Sequence, residues 1–376
     1  MNIVSYVRHF GEKRFSEEPF NCIDALILSQ MSYVNFDLII PEMGFVRLKD
    51  LKGLKNKDLY FDSVDYLNNK RLFKMMVKSK RYRSVKVGYF RKSFVDKERT
   101  NKQFVAVTFI LQNRTGFISF RGTDISMVGW REDLYIAYRD NVPGAQDAVE
   151  YVNNAASLFK GKFYIGGHSK GGNLAVHASL NMDRKLDDRL IKVYSFDGPG
   201  FRKRIQEHEG YPFIKDKVEK YLTSNDMIGV IYNNIENAKI VYSYGVLLGG
   251  HDPYRWYIEK KNVDFMYTKD RSFMSKQYEE ALMGWLTSMS DDDKSLAVHI
   301  IFDMMGESEN VYDLLLNAAR LVVSGRRNWE EYSPRQRIKA REIFRKLGRF
   351  FLHAYSPRRF LKEKFGPKPD PETEDN

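Results

Sequence analysis

The chain carries one cysteine, Cys22, in 376 residues, so no intrachain disulfide can brace it, which fits a reducing compartment. It has no run of about 18 apolar residues, the length a membrane-crossing helix requires. The first residues, charged at Arg8, Glu12, Lys13 and Arg14, contain no continuous apolar stretch of the kind a secretory signal needs. No internal repeat stands out. Together these absences lead to the expectation of a soluble, cytoplasmic protein.

What is present is ample material for a buried core, with 43% apolar and 14% aromatic residues. The length suits one large domain with an extension. The net charge of +12 is concentrated near the end of the chain. Between Arg326 and Lys364 stand 13 Lys or Arg and only 4 Glu. A local basic segment of this kind suits an anionic surface.

Residues 20–35 place Ile23, Leu26, Ile27 and Met31 on one helical face. Residues 45–82, where Lys and Asp interrupt the apolar positions, read as exposed helices and loops. From Val85 onward, short runs rich in β-branched and aromatic residues predict strands at 85–90, 104–111 and 116–120. A helix at 145–159, a strand at 162–167 and a helix at 171–181 follow. Further strands are expected at 191–196, 218–223 and 239–244. Strands alternating with helices imply the α/β class, a mainly parallel sheet covered on both faces. Beyond about residue 265 the strand signals stop. Ser290 with Asp291, Asp292 and Asp293 opens a helix through Met305, and Ser333-Pro334 opens another. The expected organisation is a domain over 1–265, a basic helical extension over 266–366, and a Pro-rich acidic disordered tail over 367–376.

The strongest local signal is Gly167-His168-Ser169-Lys170-Gly171, between a predicted strand and a predicted helix. A sharp strand-to-helix turn lifts a serine hydroxyl out of the sheet, and the helix N-terminus favours negative charge developing beside it. Ser169 is the candidate nucleophile. It needs a base, and the base needs an orienting acid. Of seven histidines, His251, after a predicted strand and a Gly-Gly turn, is best placed as base. His168 and His177 lie in or just after the elbow, His9 lies upstream, and His208 sits among exposed charges. His299 and His353 fall in the C-terminal helices. Three aspartates compete as acid. Asp226 directly follows a strand and is favoured. Asp197 also follows a strand but is equally suited to cap the Gly198-Pro199-Gly200 turn. Asp252 adjoins the base too closely to orient it. The N–H of Lys170 and the Phe120-Arg121-Gly122-Thr123-Asp124 loop, with Thr123 foremost, are the candidate oxyanion donors. This chemistry uses neither metal nor cofactor.

At these residues the chain resembles the class 3 lipases and a set of uncharacterised lipase-like bacterial hydrolases of the α/β-hydrolase fold. The matching pieces are FRGTD at 120–124, Trp130 with Asp133 and Leu134, GGHSKGGNLA at 166–175, SFDGPGF at 195–201 and SNDMIG at 224–229. The resemblance covers about residues 20–265. It implies Thr123 at the oxyanion position, Ser169 as nucleophile, Asp226 as acid and His251 as base, in a serine hydrolase that cleaves carboxylic esters. Lys170 departs from the pattern, standing as a cation where class 3 lipases usually have an apolar residue.

The expected partner is a small-molecule or lipid ester. A second reading uses the C-terminal helices as an anionic-membrane anchor, with Arg335, Arg337, Arg341, Arg345 and Arg349 against lipid and Ile343, Leu347 and Phe351 inserted. The competing arrangement packs those apolar residues on the main domain. Nucleic acid is not expected, because no recognised binding motif accompanies the charge.

Overall fold

The computed structural model describes residues 1–41, 44–54, 60–61, 65–95, 101–124, 127–245, 247–305, 329 and 332–356. The tail expected at 367–376 lies outside them. Eight strands form one sheet in chain order: β1 (Phe45–Arg47), β2 (Lys86–Val95), β3 (Lys102–Ile110), β4 (Gly116–Phe120), β5 (Phe163–His168), β6 (Leu190–Phe196), β7 (Val218–Thr223) and β8 (Lys239–Val241). β1 to β4 pair antiparallel, and β4 to β8 run parallel. A two-stranded ribbon, β9 (Ile258–Glu259) with β10 (Asp264–Phe265), follows.

Period-two alternation divides the core. Val107, Phe109 and Phe117 face one layer, with α1 (Ile3–Phe10), α2 (Cys22–Met31) and α3 (Tyr66–Met76). Ala106, Ile118 and Phe120 face the other, with α5 (Ala145–Ser157) and α6 (Lys170–Asn181). Helices on both faces of a mostly parallel sheet, with a serine turn after a central strand, make this an α/β-hydrolase fold. The short α4 (Met127–Leu134) follows β4, and α7 (Tyr211–Ile214) precedes β7.

The expectation that 45–82 is exposed holds for most of its described charges but not for its apolar positions. Leu72, Phe73 and Met76 are core residues, and the Arg81 guanidinium and Tyr82 hydroxyl are both buried on Asp24. The charge of Arg81 is paired internally, while Lys49, Asp50, Lys52, Arg71, Lys74 and Lys78 remain exposed.

Beyond Phe265 the described elements are helices: α8 (Phe273–Thr287), α9 (Asp291–Met305) and α10 (Pro334–Ala354). Ser333 caps α10 in a box with Gln336. The three helices share a small core of Trp285, Leu286, Met289, Ala297 and Ile343, and Trp285 Nε1 donates to Ile343 O at 3.0 Å. Leu347 packs on this core, and Phe351 rests against Tyr278. The apolar face proposed to enter a membrane is therefore spent on α8. Among the described residues no helix is long and apolar enough to cross a membrane.

Candidate active site

Ser169 sits in the turn from β5 to α6 with φ 59° and ψ −133°, a backbone conformation costly for a non-glycine residue. Its neighbours must be glycines: a Cβ on Gly167 would stand 2.3 Å from Gly171 O, and one on Gly171 would stand 2.2 Å from Phe120 O. The turn is held by Ser169 N donating to Phe196 O and Gly172 N donating to Ser169 O, at 2.9 and 2.8 Å.

The FRGT loop lies directly against this turn, since a Cβ on Gly122 would come within 3.0 Å of Ser169 Cβ. Buried Arg121 anchors the loop from behind through Ser32 O and Val34 O. The Thr123 hydroxyl donates to Asp133 Oδ2 at 2.5 Å, so its proton is engaged. Its backbone N–H has no partner among the described hydrogen bonds. Lys170 is the first residue of α6, so its N–H has no intrahelical acceptor.

The Lys170 side chain turns away from the serine. It is buried, and its Nζ donates to Glu132 Oε2 at 2.6 Å and to Gln103 O at 2.9 Å. Glu132 in turn accepts from the backbone N–H groups of Gln103 and Gly144. The cation expected beside the nucleophile is thus part of an internal brace between the elbow and α4. Burial, partly offset by Lys170, pushes the neighbouring Asp133 up to about 6.

His251 follows a short 3-10 turn, Leu247–Gly250, and comes to the carboxyl ends of β5 and β6. Its Nδ1 lies 2.6 Å from Asp197 Oδ2. A carboxylate accepts, so Nδ1 carries the proton and Nε2 is left as the basic atom. Burial lowers the imidazole below its ordinary range, against the pull of Asp226, Asp252 and Asp133. His168, buried beside the serine, donates from Nε2 to His251 O at 2.8 Å, and the two rings lie 4.3 Å apart. Burial and then His251 hold His168 well below its usual range, so it is neutral. Ser169 Oγ and His251 do not hydrogen-bond in this structure; such contacts are often long until substrate is bound.

Asp226, the aspartate favoured from the sequence, makes no hydrogen bond to His251 in this structure, whereas Asp197 does. Asp226 Oδ1 is taken by its own turn, accepting from Ile228 N and Gly229 N at 2.8 Å each. Asp197, at φ 51° just past β6, projects from the strand next to the elbow. The two carboxyls are neighbours and both are fully buried. Asp197 Oδ1 and Asp226 Oδ2 receive no N–H or O–H donor, and both abut Gly229. One proton between them satisfies both atoms. Burial and then Asp197 raise Asp226 well above the carboxylate range, whereas burial raises Asp197 only to about 6. Asp226 is therefore the protonated partner, donating to ionised Asp197. Beneath them the buried Lys220 Nζ donates to Gly198 O and Gly229 O. Burial brings this lysine down to about 8, opposed by both aspartates.

The structure thus gathers Ser169, His251, Asp197, Asp226, Thr123 and Lys170 at one end of the sheet. It adds Lys220, an interior residue of β7 that carried no sequence signal, and gives partners to His168 of the elbow motif and to Asp133 of the matching segments. Among the described residues no group of three His, Cys, Asp or Glu is placed to hold a metal ion.

A search of curated proteins finds no match to the chain. The crystal structure of M37 lipase is similar over 56% of this chain and 68% of that one, at 13% identity and a TM-score of 0.34. The Mbeg1-like family matches residues 76–303, more than half of the sequence. The chain is a member of the Mbeg1-like family, a lipase-like α/β-hydrolase family.

Proposed function

We propose that the protein is a serine hydrolase that cleaves carboxylic esters through an acyl-enzyme. The observation that carries this reading is the bond from His251 Nδ1–H to Asp197, which fixes the tautomer with Nε2 basic beside a strained elbow serine. Ser169 Oγ attacks the ester carbonyl carbon and its proton passes to His251 Nε2. The N–H groups of Lys170 and Thr123 receive the oxyanion. Collapse breaks the bond to the leaving alkoxide, which takes the proton from His251. Water, deprotonated by the same imidazole, then attacks the acyl carbon and frees Ser169. Asp197 orients the imidazole and offsets its charge, while protonated Asp226 holds Asp197. The test is hydrolysis of p-nitrophenyl butyrate, with the acyl-enzyme detected by mass spectrometry. Ser169→Ala is expected to lose both, and a variant that keeps wild-type turnover contradicts the reading.

A second, compatible proposal concerns α10. Arg341, Arg345 and Arg349 are exposed, and so are Ile338 and Leu352 at 67% and 78%. That face, rather than the buried one, suits an anionic lipid surface.

A further inference from the structure

A cavity of about 160 Å³ lies between the catalytic end of the sheet and the C-terminal helices. Its walls come from three places. Leu134 and Asp133 belong to α4, Ile231 to the loop that follows Asp226, Trp285 to α8, Ala297 to α9, and Met289 to the link between those two helices. Asp133 and Lys294 are the charged residues in the lining, and both are engaged. Asp133 accepts the Thr123 hydroxyl, and the ammonium of Lys294 lies 3.2 Å from exposed Asp291. The lining is otherwise mostly apolar and suits a hydrocarbon, although Asp133 Oδ1 is buried there without a hydrogen-bond partner.

The cavity is tied to the candidate site from both sides. Asp133 joins it to the oxyanion loop, which abuts Ser169. Tyr278 in its wall lies within electrostatic reach of Asp226, and Ser275, one turn earlier on α8, donates to Asp226 O. Asp133 is thus shared by the cavity wall and by the loop whose Thr123 N–H would hold a carbonyl oxygen.

We infer that α8 and α9 supply the acyl pocket of the enzyme, selecting esters of short-to-medium apolar acids over long-chain fatty esters. This inference rests on the ester-hydrolase reading above. The size argues for the chain class: an apolar cavity of about 150 Å³ takes up one benzene molecule, so a hexanoyl group fits where a palmitoyl group does not. The C-terminal helices are then part of the catalytic unit rather than an appendage.

The test compares kcat/KM for p-nitrophenyl hexanoate and acetate in wild type, Ala297→Leu, which fills the cavity, and Met289→Ala, which enlarges it. Circular dichroism checks folding. Ala297→Leu is expected to lower the hexanoate-to-acetate ratio at least tenfold, and Met289→Ala to move the optimum toward decanoate. An unchanged ratio in both folded variants overturns the pocket while leaving the hydrolase intact. Calorimetric binding of hexanoate to Ser169→Ala supplies a readout free of catalysis. Adding Ala297→Leu should abolish that binding, and binding that survives the added change also overturns the pocket. Ala297-dependent binding in a protein that hydrolyses no ester overturns the hydrolase reading instead, leaving a binding cavity. If Ala297→Leu does not fold, Met289→Ala decides alone: an unmoved optimum defeats the proposal.

Discussion

Two buried clusters flank the candidate site, and each holds one lysine and two acidic side chains. On the elbow side stand Lys170, Glu132 and Asp133; on the acid side, Lys220, Asp197 and Asp226. In the first, Lys170 meets Glu132 directly at 2.6 Å, and the ammonium is raised above its ordinary range because Glu132 and then Asp133 outweigh burial. In the second, Lys220 spends its hydrogen bonds on backbone carbonyls, and burial brings it down to about 8. The carboxyls there are left to settle their repulsion by sharing a proton. A closed ion pair fixes geometry, whereas an incompletely paired one leaves protonation states open to chemistry.

The largest effect should come from breaking the acid side at its charged member. Asp197→Asn is expected to lower kcat on p-nitrophenyl butyrate by about 10⁴, since an amide favours the wrong imidazole tautomer. Asp226→Asn should cost no more than about tenfold, because an amide N–H replaces the carboxyl O–H toward Asp197. Steady-state kinetics on the two variants check this ordering, and equal losses would erase the distinction drawn between the two aspartates.

The elbow side should answer in stability. Glu132→Ala strands a buried ammonium and is expected to cost about 3–5 kcal/mol in urea unfolding. Replacing both partners, Lys170→Met with Glu132→Leu, should recover most of that loss.

pH separates the clusters further. Asp197 is raised to about 6 from an ordinary 3.8, so the folded chain holds a proton there that the unfolded chain has released. Stability from this group therefore falls as pH rises from about 4 to about 6. The stability advantage of wild type over Asp197→Asn should shrink across that window in urea titrations. Activity moves the other way: kcat/KM should fall below about pH 6 as Asp197 and His251 take up protons.

The smallest effect is expected at the surface. Arg341→Glu, Arg345→Glu and Arg349→Glu together should change stability by less than about 1 kcal/mol. The lipid proposal predicts that the same changes abolish sedimentation with phosphatidylserine vesicles, as does raised salt.

Much of this arrangement was legible in the sequence. β4 and β7 fall at the residues read from their β-branched and aromatic runs, and the elbow glycines announced Ser169. The choice between Asp197 and Asp226 was not legible. Both follow strands, and what separates them is a φ of 51° at Asp197 and a turn that consumes Asp226 Oδ1. Residues 45–82 misled because Arg81 looks like a solvated charge until Asp24, far away in sequence, is seen beside it. α8 escaped notice because its apolar residues serve two neighbours, the cavity and α10, and so do not form one periodic stripe.

The central claim is that Ser169 is an activated nucleophile, and labelling with a fluorescent fluorophosphonate tests it most directly. The account predicts one adduct, located on Ser169 by mass spectrometry, absent in Ser169→Ala and strongly slowed in Asp197→Asn. Well-folded protein that takes no label, or takes it equally in Ser169→Ala, would contradict it.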